Sequence, residues 1–322
     1  MAIEDGLVRG EVRVKGYRRV SHGVYRPERG TRVDPAVQWL ADLAAWRLVL
    51  PGDAVFTHVT AAALRGWWLP QLPEQVPVFA ATSARNHPRR AGLSCARLER
   101  DVMPSTRVHG LPVDDSAEVL LRAARDLSLL DATVLVDAAL REQGEGLRAP
   151  LDEVCQTSRP GVRRLRAARD LADPRSESPW ETLLRLFHVA VEAPVHPQLA
   201  IFDADGRFVA RADLWLVGTQ FIHEYDGGVH RALDQQARDL RRERRLTATP
   251  YVRRGYTADD LVNHPLACLR DVDDALGRRH RASRIATWRH WLTESTYTPE
   301  GRARLQNRWW RRTGTADWAR TA

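Results

Sequence analysis

Lysine is almost missing from this chain: the 49 basic side chains include a single lysine, Lys15. Chemistry that needs a lysine base must use Lys15 or do without. Cysteine is scarce too. Cys95, Cys155 and Cys268 are scattered and odd in number, which argues against a disulfide framework and a cysteine-based zinc site. No apolar run approaches the roughly 18–20 residues of a membrane span. The first six residues carry acids where a secretory leader needs a basic and then apolar start. These absences together point to a cytoplasmic protein with no membrane partner. What is present is a globular composition, 43% hydrophobic and 28% charged over 322 residues, long enough for two domains with their own cores.

The formal net charge is +8, and its distribution says more than its size. Residues 278–322 hold 11 arginines against Glu294, Glu300 and Asp317, while residues 1–277 balance 38 basic against 38 acidic side chains. The body is neutral and the tail carries the whole excess.

Residues 11–27 read as two short strands around Gly16. Asp34-Pro35 then sets a cap and an N1 proline for a helix to about 48, broken by Pro51-Gly52. A short strand at 55–56, a small helix at 60–64 and brief strands at 76–80 and 108–113 follow. From 115 to 171 helical periodicity dominates, with helices near 116–127, 130–141, 150–157 and 162–172 and a break at 144–146. A new unit starts at 173–176. Ser178-Pro179-Trp180-Glu181 opens a helix to about 191, with a serine cap and a capping-box-like glutamate. Strands near 195–202, 207–217 and 220–225, a helix at 231–246, a strand at 250–254 and a helix at 257–276 complete it.

Turn chemistry predicts register in this second unit. Gly218-Thr219 suits a two-residue type II′ hairpin loop, which places Asp213 opposite Glu224. Their Cβ atoms would lie about 4.5–5.5 Å apart on one face, with Asp226 two residues on along that face. Asp205-Gly206 suits a type I′ turn that brings Gln198 opposite Asp213. Opposed like charges destabilise a hairpin, so a cation between Asp213 and Glu224 is expected. Hard oxygen ligands suit Mg²⁺ (or Mn²⁺), which polarises a phosphate and lowers the pKa of an attacking water. His230, just past the strand, is placed for general acid/base work. Plainer readings stand beside these: solvated carboxylates, Glu181 as a capping residue only, and His230 as a helix-start residue. Asp239 with Arg242 reads equally as a surface ion pair, and His223, on the opposite face, as a packed core residue.

Residues 176–277 resemble the Vsr-like branch of the PD-(D/E)XK nuclease superfamily. The resemblance rests on Glu177-Ser178-Pro179-Trp180-Glu181, Pro197-Gln198, Asp205-Gly206-Arg207 and Arg211-Ala212-Asp213-Leu214. It continues through Glu224-Tyr225-Asp226-Gly227 and His230, then Asp239, Arg242 and Leu246. It implies a helix glutamate (Glu181), a metal-binding aspartate (Asp213), an acidic pair on the next strand (Glu224, Asp226) and a catalytic histidine. The wider superfamily's lysine has no counterpart, since Glu224-Tyr225-Asp226 stands where it is expected; this agrees with the Vsr-like branch. The first half more weakly resembles the AbiEi-type antitoxin module. The shared segments are Tyr17-Arg18-Arg19-Val20, His22-Gly23-Val24-Tyr25, Thr57-His58-Val59-Thr60 with Ala61-Ala62-Ala63-Leu64-Arg65-Gly66, and His109-Gly110-Leu111-Pro112-Val113. The wing is present, but about sixteen residues before Tyr17 are too few for a recognition helix.

The expected organisation is therefore a winged-helix remnant (1–33), an α+β AbiEi-like module (34–175), an α/β Vsr-like nuclease domain with a mixed sheet flanked by helices (176–280) and an Arg/Trp-rich tail (281–322). In the tail, Trp288 and Trp291 at i,i+3 suit docking on the protein. For Arg302, Arg304, Arg308, Trp309, Trp310, Arg311 and Arg312 the expectation is contact with nucleic acid, by phosphate neutralisation and base stacking. The expected function is a Mg²⁺-dependent DNA endonuclease or nickase, in genome defence or DNA repair. Asp213 and Glu224 would hold the ion, Glu181, Asp226 and His230 would assist, and Gln198, Asp239 and Arg242 would support them. The rivals are a non-catalytic DNA-binding regulator of the toxin–antitoxin type and an RNA-cleaving toxin. A homodimer or a toxin–antitoxin partner is open.

Overall fold

The computed structural model describes residues 3–4, 7–10, 16–28, 34–85, 87–98, 106–227 and 244–313. It is a mixed α/β protein with eleven α-helices and several small sheets among the described residues.

The N-terminal strands β1 (Ile3–Glu4), β2 (Leu7–Arg9), β3 (Tyr17–Ser21) and β4 (Val24–Pro27) form an antiparallel sheet in the order β1-β2-β4-β3. Of the two strands expected around Gly16, the part at 11–15 lies outside the described residues, and both described strands follow Gly16 as a hairpin turning at His22-Gly23; β1 and β2 are too short to show a period. Helix α1 (Pro35–Arg47) starts as expected, with Asp34 accepting from Ala36 N at 2.8 Å and proline in the first turn. Strand β5 (Val55–Phe56), helix α2 (His58–Leu64), and strands β6 (Val78–Thr82) and β7 (Leu93–Arg97) build a three-stranded sheet and its cover. A two-residue ladder, β8 (Arg107–Val108) with β9 (Leu111–Pro112), leads into the helices.

Helices α3 (Ser116–Ala123), α4 (Leu129–Gln143), α5 (Glu145–Gln156) and α6 (Val162–Leu171) follow the expected periodicity. Helix α5 departs from it. It begins straight after Gly144 rather than at Pro150, and carries that proline inside. Gly144 takes φ 58°, so the expected break is a one-residue corner. Ser128 and Asp131 form a reciprocal capping box at the start of α4.

The second unit runs α7 (Pro179–Ala190), β10 (Val195–Phe202), β11 (Phe208–Leu216), β12 (Phe221–Tyr225) and β13 (Val252–Tyr256). Its sheet order is β10-β11-β12-β13, with the first three strands antiparallel and β13 parallel to β12. Helices α8 (Ala258–Val262) and α9 (Pro265–Ala275), a 3₁₀ turn (Ala282–Ile285), α10 (Ala286–Glu294) and α11 (Pro299–Thr313) close the described chain.

Two large cores result, and the basic C-terminal segment contributes to both. Trp288, fully buried, donates its indole N–H to Leu261 O at 2.8 Å within the core around α7, and Trp291 packs against the same core. Both therefore dock as their spacing suggests. Helix α11 instead crosses to the N-terminal core, where Leu305 and Trp309 are buried against residues of α2, β6 and α3. Helix α4 serves both cores, Leu135 facing one and Leu130 and Val134 the other. No helix among the described residues is long and apolar enough to cross a membrane.

Candidate functional site: an acidic sheet face

The ladder pairs Leu214 with His223 and Trp215 with Ile222, so Asp213 falls opposite Glu224. Pro197 pairs with Leu214 and Leu199 with Ala212, which sets Gln198 opposite Asp213. Both registers agree with the turn-based expectation, although neither turn has the expected form. Between β11 and β12 the loop spans residues 217–220, with a turn closed by Thr219 N donating to Leu216 O and Gly218 at φ 82°. The wider loop keeps the same register because it adds one residue to each side. At 203–206, Gly206 alone takes positive φ (78°), whereas a type I′ turn needs it at Asp205 too. Asp203 holds this turn, its carboxylate accepting from the backbone N–H of Asp205 and Arg207, and a bulge at Ile201/Phe202 restores the pairing.

The acids on this face are each engaged. Asp213 Oδ2 accepts from Tyr225 N at 2.9 Å. Glu224, only 3% exposed, receives Arg253 Nε at 2.6 Å, and the same guanidinium bridges to Asp226. Burial opposes the charge on Arg253, but hydrogen bonds and attraction from Glu224 and Asp226 more than offset it, so its pKa lies above the ordinary value. Glu181 does more than cap. Ser178 accepts from Glu181 N, while Glu181 Oε2 takes Glu177 N at 2.8 Å and Gln198 Nε2 at 3.0 Å. Burial pushes the Glu181 pKa up. Gln198 holds φ 57°, a backbone conformation that costs a non-glycine residue about 1–2 kcal/mol. Glu181, Gln198, Asp213, Glu224 and Asp226 thus come together. His230, Asp239 and Arg242 lie outside the described residues.

Arg253 is the site residue the sequence reading missed. The expectation was a cation, Mg²⁺, between Asp213 and Glu224; the chain instead brings a guanidinium from β13 that bridges Glu224 to Asp226. Parallel register pairs Glu224 with Gly255 and Ile222 with Arg253, so Arg253 and Gly255 share the acidic face. A Cβ at Gly255 would collide with Asp226 Oδ2, so the missing side chain is what lets Asp226 lie over this strand. The only sequence signal was an arginine in the strand expected at 250–254, two residues before a glycine just past its end. Which strand they would meet depends on a crossover, and periodicity does not encode that.

The donors suit a hard divalent ion in kind, with carboxylate oxygens from Asp213 and Glu224 on neighbouring strands. Among the described residues, no group of three or more His, Cys, Asp or Glu side chains is arranged to hold a metal.

The reverse face of the sheet is closed. His223 is fully buried there, as its strand position suggested, and His188 Nε2 meets its Nδ1 at 2.7 Å. Leu184 O can only accept, so His188 Nδ1 carries the hydrogen and its Nε2 accepts from His223. Burial pushes His188 down to about 4 and His223 to about 2, so both are neutral at ordinary pH.

The structure corrects part of the expected nucleic-acid contact set. Trp309 is fully buried, its indole donating to Asp126 Oδ2 at 3.1 Å, and offers no face to a base. Trp310 donates to Gln75 Oε1 at 3.2 Å. Arg302 binds Gln71 Oε1 and Thr296 O, and Arg312 makes a two-pronged ion pair with Asp126. The physical reason is a partner the tail's own periodicity could not reveal: an N-terminal core with a buried carboxylate. Arg304, Arg308 and Arg311 remain exposed.

Comparison of the chain with protein families, with curated proteins and with solved structures finds no match.

Proposed function

We propose that residues 176–280 form a Mg²⁺-dependent DNA endonuclease or nickase domain. The observation that carries this reading is the convergence of Asp213, Glu224 and Asp226 on one sheet face, with Glu181 reaching Asp213's cross-strand neighbour Gln198. A sheet of three antiparallel strands and a parallel fourth also supports it, since the Vsr-like resemblance implies a mixed sheet flanked by helices. A structural sheet has little use for acids facing one another. Asp213 and Glu224 would hold the ion, which supplies Lewis-acid polarisation of the phosphate and a more acidic water. Gln198 fixes Glu181, and Arg253 bridges Glu224 to Asp226. His230 would serve as acid/base.

A non-catalytic DNA-binding regulator is the second reading, favoured by Arg253 itself: a guanidinium already neutralises the buried Glu224. Nicking of supercoiled plasmid with Mg²⁺ or Mn²⁺ separates the two. The nuclease reading expects Asp213→Ala to lose activity by roughly a hundredfold or more. Wild type that cuts neither DNA nor RNA would end it and leave the regulator reading.

A further inference from the structure

Helix α11 has two faces of different fate. Leu305 and Trp309 are buried, and Arg312 is tied to Asp126 along one edge. The wet face carries Arg304, Arg308 and Arg311. Arg312 lines two neighbouring shallow hollows, one with these three arginines and the other with Arg125 and Arg163 at the start of α6. A third hollow joins Arg304 and Arg308 to Arg164. The basic surface is therefore continuous across α11 and α6, and the positive N-terminal end of α6 adds to the same field.

Several arginines here are already used. Arg159 pairs with Glu118, Arg164 with Glu294 and Arg312 with Asp126. Among the described residues, Arg125, Arg163, Arg304, Arg308 and Arg311 have no carboxylate within salt-bridge distance. Arg308 donates to Asp126 O, a neutral acceptor, and so keeps its charge. On α11, Arg304 and Arg308 are four residues apart, and Arg304 and Arg311 seven, which spaces them by about 6 and 10 Å along the axis. A run of unpaired guanidinium groups at that spacing suits a polyanion better than one small anion.

We infer that this α11–α6 surface grips the phosphate backbone of duplex nucleic acid. Guanidinium forks match phosphate oxygens, and each contact releases a condensed counterion. Two observations narrow the partner. Among the described residues the exposed large apolar side chains, Val37, Val189, Phe202, Phe208, Val217 and Val252, all lie elsewhere, so the described surface offers no apolar side chain to insert into a lipid layer. Trp309 is buried and Trp310 is hydrogen-bonded to Gln75, so among the described residues of α11 neither tryptophan is a free platform for unpaired bases. The surface is separate from the acidic sheet face and grips whether or not that face cuts.

The test uses the full chain, a labelled 20-base-pair DNA duplex, the matching single strand and polyglutamate. The variant Arg163→Gln/Arg304→Gln/Arg311→Gln removes three exposed charges that make no side-chain hydrogen bond in the structure. The control, Arg89→Gln/Arg270→Gln/Arg279→Gln, removes three exposed charges elsewhere, so net charge is matched. The expected result is a loss of duplex affinity of at least about tenfold for the surface variant only. Its slope of log K against log salt should fall by about 3, with an unchanged thermal midpoint. Equal losses in both variants, or none in either, would overturn the inference. So would tighter binding of the single strand or of polyglutamate than of the duplex. Plasmid nicking is scored separately: a binding loss without change in the Mg²⁺ requirement leaves the nuclease reading untouched.

Discussion

Asp126 in the N-terminal unit and Glu224 in the C-terminal unit are both buried carboxylates met by arginine, and the fold treats them differently. Asp126 is enclosed. Its oxygens receive His58 Nε2 at 3.2 Å, Trp309 Nε1 and both prongs of Arg312, which ties α2 and α11 to the turn after α3. His58 is stacked on Phe79 at 4.0 Å, and its Nδ1 accepts from Val59 N, so Nε2 is the nitrogen that donates. Burial would raise the Asp126 pKa, but these hydrogen bonds hold it well below the ordinary carboxylate range. Among the described residues Glu224 meets the Arg253 guanidinium and faces Asp213 across the ladder. The lesson is that an arginine–carboxylate pair staples a fold when donors surround the acid. Where other acids share the face, as around Glu224, the same pair leaves the arrangement that the proposed nuclease reading assigns to a cation.

Removing Asp126 gives the largest expected effect. Asp126→Ala leaves the buried His58 and Trp309 donors without their acceptor, releases Arg312, and should cost about 3–5 kcal/mol in urea unfolding. A loss below 1 kcal/mol would show that α11 is not stapled there. The histidine pair on the closed face comes next. Both folded pKa values lie below the ordinary 6.5, so the unfolded chain takes up protons first as pH falls. Stability is complete above about pH 6.5 and declines toward pH 4, with His188 alone accounting for about 3 kcal/mol. Urea midpoints from pH 7 to 4 should show this decline in wild type and a shallower one in His188→Gln; parallel curves would refute it. The smallest effect sharpens the comparison most directly. Arg253→Met leaves Glu224 buried without its counter-charge and should cost about 1–3 kcal/mol. Added Mg²⁺ should restore part of that loss, because an ion can take the guanidinium's place on Glu224. Asp126→Ala should show no such rescue. If Mg²⁺ raises the thermal midpoint of neither wild type nor Arg253→Met, the sheet face is a structural pair like Asp126.

Much of the C-terminal unit was legible because its signals are local. Ser178-Pro179 starts a helix by capping, and two glycine-bearing turns set strand register even though both turns took other forms. Register survived because alternation ties each strand's apolar residues to one face, and a slip of one residue would expose them. The tail was legible only in part. Trp288 and Trp291 docked as their i,i+3 spacing suggests, whereas Trp309 found a core about 180 residues away in sequence. An amphipathic helix shows which face it will bury, but not against what.

The sequence by itself determined most of the elements, the register of β10, β11 and β12, the meeting of Asp213 with Glu224, and the concentration of charge in the last 45 residues. Tertiary structure decided which cation sits among the acids and which arginines stay free. Arg253 arrives by a parallel pairing that needs a crossover, and Asp126 claims Arg312 through contacts between distant segments. Both depend on chain closure over long separations, where residue spacing carries no information about which partner is met.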